Sequence, residues 1–171
     1  MNKICSILAL LTVILSCKTK KTASAASEKV TSITLSECPP QSKCTIEVSP
    51  NFALKIEIQN GDKPYYSLIE QPGTTVYRYE MAENQDQQYV DGGYREEIIF
   101  QLPSDLQNSV ISGKELQSTN ALFGVFCYCK GKAGYYRIGE GTISKSTTEI
   151  IVSIPALVDG QKVRELVFKL Q

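Results

Sequence analysis

Val76-Tyr77-Arg78-Tyr79-Glu80-Met81 and Glu96-Glu97-Ile98-Ile99-Phe100-Gln101-Leu102 decide the fold class of this chain. Large apolar and polar residues alternate along the first stretch, and Ile98, Phe100 and Leu102 share one parity of the second. That is the period of an extended strand with one face turned to a core. Thr45-Ile46-Glu47-Val48 and Leu54-Lys55-Ile56-Glu57-Ile58-Gln59 repeat the pattern upstream. Downstream, Leu122 to Lys130 is apolar on both parities, as in a strand covered on two sides. Gly134 to Ile138, Gly141 to Ser144, Glu149 to Ile154 and Val163 to Leu170 complete the set.

Turn formers separate these runs: Asn60-Gly61-Asp62, Gln71-Pro72-Gly73, Asp91-Gly92-Gly93, and Asp159-Gly160, a hairpin signal, between the last two strands. Only Ser104-Asp105-Leu106-Gln107 reads as a short helical turn. There is no internal repeat. About eight to ten short strands with no helical crossover predict an all-β domain, a single antiparallel β-sandwich or small barrel.

The N-terminus has a different logic. Met1-Asn2-Lys3 leads an apolar run that ends Ile14-Leu15-Ser16-Cys17. The run is too short for a transmembrane helix, which takes ~20 apolar residues, and it has the three-part layout of a secretory signal. With Cys17 directly after Ser16, it resembles the lipobox of bacterial lipoproteins. The resemblance implies acylation of the Cys17 thiol, cleavage before it, and loss of residues 1–16. Several acyl chains make such an anchor stable. Residues 17–29, small, polar and basic, read as the lipidated Cys and a flexible tether, and residues 30–171 as the β-domain. In the lipoprotein family an Asp after the Cys retains the protein at the inner membrane, and here Lys18 stands there. No acidic surface-export patch follows either. Both features point to the periplasmic face of the outer membrane.

Composition removes whole classes of function. Among 171 residues there are 18 basic and 18 acidic side chains and no histidine. Cleavage removes only Lys3, leaving 155 residues with 17 basic against 18 acidic side chains. That balance argues against a nucleic-acid binder, which needs a basic field. Without histidine there is no Ser-His-Asp or Cys-His site and no imidazole ligand. No Ser-x-x-Lys and no phosphate-binding loop occurs. No cofactor and no metal site is expected. Carboxylate chemistry survives: Glu96 shares parity with Ile98 and Phe100 and sits at the mouth of the core face, while Glu97 points the other way.

Beyond Cys5 and Cys17 four cysteines remain, an even number in an exported chain. Cys127 and Cys129 flank Tyr128 in a predicted strand, with both thiols on one face. The turn-forming stretch Pro39-Pro40-Gln41-Ser42-Lys43 sets Cys38 and Cys44 a similar distance apart. The expected arrangement is therefore two cross-links between these segments. The alternative is local pairing, Cys38–Cys44 and Cys127–Cys129, with the second pair redox-reactive. Zinc is a third reading that the spacing does not favour.

The chain has nine Tyr and no Trp. Tyr135 and Tyr136, with the glycine-rich basic loop that carries Lys130 and Lys132, form the candidate binding surface. Lipobox, Ser/Thr/Ala tether, Cys38-Pro39 and Cys127-Tyr128-Cys129-Lys130-Gly131-Lys132-Ala133-Gly134-Tyr135-Tyr136 together resemble small flavobacterial-type lipoproteins, a group that brings no assigned activity. The expected function is a non-enzymatic accessory or binding module, membrane-held through Cys17, with an envelope protein or glycan as partner. The alternatives are a thiol–disulfide redox protein using Cys127 and Cys129, and a carboxylate-dependent glycan hydrolase.

Overall fold

The computed structural model describes residues 38–58, 63–84 and 93–170. The signal, Cys17, the tether and the Asn60-Gly61-Asp62 turn lie outside the described residues, as do Asp91 and Gly92. Nine strands are described: β1 (Ser42–Ile58), β2 (Pro64–Glu83), β3 (Arg95–Pro103), β4 (Ser109–Ser112), β5 (Leu122–Phe126), β6 (Gly134–Arg137), β7 (Thr142–Lys145), β8 (Glu149–Ser153) and β9 (Glu165–Lys169). They form two antiparallel sheets, in the orders β1-β2-β3-β5-β6 and β4-β7-β8-β9. The expected all-β sandwich is what is found, with no barrel closure. Among the described residues no helix is long and apolar enough to cross a membrane.

The two sheets share one core. Tyr77, Tyr79, Met81, Ile98, Phe100, Leu102, Phe123 and Val125 from the five-stranded sheet meet Ile143, Ile150, Val152, Leu166 and Phe168 from the other. These are the same-parity residues of each alternating run. Phe100 stacks on Tyr77 with ring centroids 5.4 Å apart and meets Phe168 edge-on at 5.8 Å, which adds to plain area burial.

The Gln71-Pro72-Gly73 turn signal is not a chain reversal, and two of the expected strands are one. Thr45–Val48 and Leu54–Ile58 belong to one strand, β1, and Gln71-Pro72-Gly73 sits inside β2. The register shifts there: Pro50 pairs with Thr75, and Phe52 already pairs with Glu70. Asn51 and Gly73 take positive φ, 62° and 83°. The irregularity is a bulge, and bulges bend strands.

The distal arm of the hairpin, Phe52–Ile58 with Pro64–Glu70, thereby packs on the outer face of the five-stranded sheet. Leu54, Val76, Ile99 and Leu122 form a second buried cluster there, with Phe52, Ile56, Tyr66 and Tyr135 against it. The Leu54 backbone is held on both sides: its N–H donates to Gln101 Oε1 (2.6 Å) and its carbonyl accepts from Asn120 Nδ2 (3.1 Å).

The expected helical turn at Ser104–Gln107 is one turn only, with Leu106 N–H donating to the Pro103 carbonyl. Among the described residues the one helix is a 3-10 segment, Gly113–Thr119, that buries Leu116 and Thr119. Asp159-Gly160 lies within the long connection from β8 to β9, not in a two-residue hairpin.

Candidate functional site

Strand β5 stops at Phe126, and the chain bends at Cys127 and Tyr128. This corrects the expected strand through Lys130. Two residues of extended chain span ~6.6 Å. The Cα atoms of Cys127 and Cys129 are 5.2 Å apart and the cysteines are bonded to each other, within the range disulfides accept. The other pair is Cys38–Cys44, with Cα atoms 5.9 Å apart. A turn joins them, Ser42 N–H donating to the Pro39 carbonyl.

The expected cross-links between the two segments are therefore overturned, and strand order is the reason. Lys43 pairs with Ala82, Ala82 with Arg95, and Arg95 with Phe126. Three inter-strand spacings, ~14 Å, separate Cys44 from Cys127.

The Cys127-Tyr128-Cys129 turn forms a tip. Tyr128 is 100 % exposed, the most exposed large hydrophobic side chain among the described residues. Cys127 packs on the main core, and Cys127, Tyr128, Cys129 and Lys130 line a shallow open concavity.

The loop behind the tip is fixed by a residue the sequence reading did not single out. Lys63 Nζ donates to the carbonyls of Gly131 (3.1 Å), Lys132 (3.1 Å) and Ala133 (2.7 Å), and to Tyr136 Oη (2.7 Å). It also lies 4.4 Å from the Tyr136 ring centroid, a cation–π distance. The aliphatic stem of Lys63 runs against Gly134, φ 119°, where a Cβ would come within 2.7 Å of it. Tyr136 Oη donates to the Lys132 carbonyl (2.7 Å), and Lys132 Nζ to the Asp159 carbonyl (3.3 Å). Of the predicted binding residues, Lys130 is exposed beside the tip. Lys132 and Tyr136 are engaged in holding the loop.

Tyr135 faces the opposite side of the sheet. Its hydroxyl donates to Glu97 Oε1 (2.8 Å), as does that of Tyr66 (3.0 Å), and Arg78 Nη1 reaches Glu97 Oε2 (3.3 Å). Glu97 is 2 % exposed. Burial, then the adjacent Glu97 charge, raises the pKa of both Tyr135 and Tyr66. Burial alone lowers that of Arg78, but its hydrogen bond to Glu47 and the Glu97 charge outweigh this and raise it. Gly124 makes room for the Tyr135 ring: a Cβ there would sit 2.6 Å from Cε1.

Glu96 lies on the core face, as its parity predicts, but deeper than the mouth, at 0 % exposure. Its Oε1 accepts from Tyr94 Oη (2.5 Å) and from the Lys162 N–H (2.7 Å). Its Oε2 accepts from the Val163 N–H (2.8 Å). The carboxylate thus ties β3 to the segment that leads into β9. Glu96 and Glu97 point to opposite faces, so this pair does not flank a common space as the two carboxylates of a glycosidase do. Among the described residues no group of three or more acidic or Cys side chains is arranged to hold a metal.

No protein-family model, no curated protein and no solved structure matches the chain.

Proposed function

We propose that the chain is a lipid-anchored envelope protein with a non-enzymatic binding role, acting through the Cys127–Lys130 tip. The lipobox resemblance supports anchoring at Cys17 and the periplasmic face of the outer membrane. The observation that carries the contact surface is Tyr128: a fully exposed aromatic on a turn closed by its two neighbours. Tyrosine is among the residues that dominate binding energy when a partner buries them. A cyclised turn also loses little conformational entropy on docking. The Lys63 ammonium stiffens the loop behind, so the tip is presented from a fixed base. A surface this small fits a weak contact or insertion into a partner's pocket, since stable interfaces bury ~1,200–2,000 Å².

The test uses a photo-crosslinking residue at position 128 in living cells, with position 110 as control. Val110 is also apolar and exposed (66 %) but lies on the other sheet. Crosslinks from 128 and none from 110 are expected; equal yields from both, or none from 128, overturn the tip as contact surface. Anchoring is read separately. Cys17→Ser is expected to leave an unprocessed precursor, and a soluble product of mature size contradicts it.

A further inference from the structure

We infer that Cys127–Cys129 is an exchangeable disulfide, and that the partner class it serves is a protein dithiol. The inference rests on the tip being a contact surface, is independent of the lipid anchor, and replaces the non-enzymatic part of the proposed role with thiol–disulfide exchange.

The bond has no evident structural duty. It closes a loop with a sequence separation of 2 and joins no two strands. What holds the region is elsewhere: β5 pairs with β3 and β6, Lys63 grips three loop carbonyls, and Lys132 N–H donates to the Cys129 carbonyl. None of these contacts is made through either sulfur. The pair is also accessible, because it brackets a fully exposed side chain and lines an open concavity. Exposed disulfides are the labile ones. Lys130 adjoins Cys129 in sequence, and a neighbouring cation stabilises thiolate. Cys38–Cys44 also has a neighbouring cation, Lys43, but differs in its packing: it closes the turn into β1, and Cys44 Sγ accepts from the buried Tyr79 hydroxyl (3.1 Å).

Both cysteines are half-buried, but Cys127 packs against the core and Cys129 does not, so attack falls on Cys129 Sγ. One thiolate of the partner dithiol attacks Cys129 Sγ. The Cys127–Cys129 bond breaks, and Cys127 leaves as thiolate and takes up a proton. The partner's second thiolate then attacks the partner sulfur of the mixed disulfide, and Cys129 leaves and is protonated in turn. Two electrons pass from the partner to the tip, and the partner's two sulfhydryl protons are matched by those gained at Cys127 and Cys129.

The experiment takes the oxidised full-length chain in detergent with a reduced synthetic dithiol peptide as probe, followed by alkylation and peptide mapping. The expected result is alkylation at Cys127 and Cys129 with Cys38–Cys44 intact, one oxidised probe per chain, and a still cooperative melting transition lowered by only a few degrees. Resistance of Cys127–Cys129 until the domain unfolds, or opening no earlier than Cys38–Cys44, overturns the inference. Single variants read the direction of attack. With an oxidised monothiol probe, glutathione disulfide, Cys127→Ser is expected to accumulate a mixed disulfide at Cys129 with release of one glutathione, and Cys129→Ser to form one at Cys127 several-fold more slowly; the reverse order refutes attack at Cys129. The probe needs no docking surface. Failure of crosslinking at 128 therefore removes the binding reading, while failure of exchange removes the redox inference alone.

Discussion

Glu96→Gln isolates the buried carboxylate that joins the two sheets. The side chain keeps its shape, so packing is preserved and only the hydrogen-bond inventory changes. Two of the three donors to Glu96 are backbone N–H groups, of Lys162 and Val163, on different carboxylate oxygens. An amide has one acceptor oxygen, so whichever way it flips, its NH₂ faces one of those N–H groups. That donor is left buried and unpaired, at ~1–3 kcal/mol, and the remaining bonds lose their charge assistance. The expected destabilisation is ~2–4 kcal/mol, a large part of the ~5–15 kcal/mol typical of a domain. Glu97→Gln is the control. Its Oε1 donors are the hydroxyls of Tyr66 and Tyr135, which can rotate, and the amide oxygen can accept from both. Only the Arg78 pairing is lost; Arg78 is partly exposed and keeps Glu47 and Glu80 as partners, so no charge is left buried and unpaired, and the expected cost is about 1–2 kcal/mol. Urea unfolding of both variants measures the difference. Glu96→Gln no more destabilising than Glu97→Gln would refute the reasoning.

Lys63→Met keeps the stem against Gly134 and removes the ammonium. It is expected to cost about 1 kcal/mol and to lower hydrogen-exchange protection across residues 129–136, and unchanged protection contradicts the caging. Gly124→Ala drives a methyl into the Tyr135 ring and is expected to destabilise by ~1–3 kcal/mol; a neutral effect means the ring is not seated there. Burial, then the Glu96 charge, pushes the Tyr79 pKa up to about 12. Its folded value thus exceeds its unfolded value of about 10, and the fold favours the neutral phenol. That contribution, roughly 2–3 kcal/mol, is complete below about pH 10 and lost as pH rises from there through about 12. Tyr66, Tyr94 and Tyr135 shift in the same direction, so denaturation curves should shift steeply over that window; a flat profile across it argues against buried tyrosines. Reduction of both disulfides should cost only roughly 1.5–2.5 kcal/mol apiece by loop entropy, and outright unfolding on reduction would indicate that longer loops were closed.

Strand periodicity made the sandwich legible, because alternation records which face of each strand is buried. The parity of Ile98, Phe100 and Leu102 placed Glu96 on the core face correctly. Its partners were not legible, since the Lys162 and Val163 amides carry no side-chain signature. Gln71-Pro72-Gly73 carries the signature of a reversal because a bulge and a turn ask the same thing of the backbone, a positive φ at Gly73. Disulfide pairing depends on strand order, and period-two patterns do not say which strand neighbours which. The Lys63 cage joins positions 68 to 73 residues apart through backbone carbonyls that every residue possesses. Tyr135 and Tyr136 stood out as a pair, yet alternation sends them to opposite faces, and neither hydroxyl is presented as a free contact.

Whether the tip is closed on itself decides everything proposed for it. Alkylation of free thiols in the native protein, digestion without reductant and mass mapping answer this directly. The predicted result is two internally closed peptides, one with Cys38 bonded to Cys44 and one with Cys127 bonded to Cys129. A fragment joining Cys38 or Cys44 to the Cys127–Cys129 segment, or alkylated thiols at 127 and 129, would contradict it.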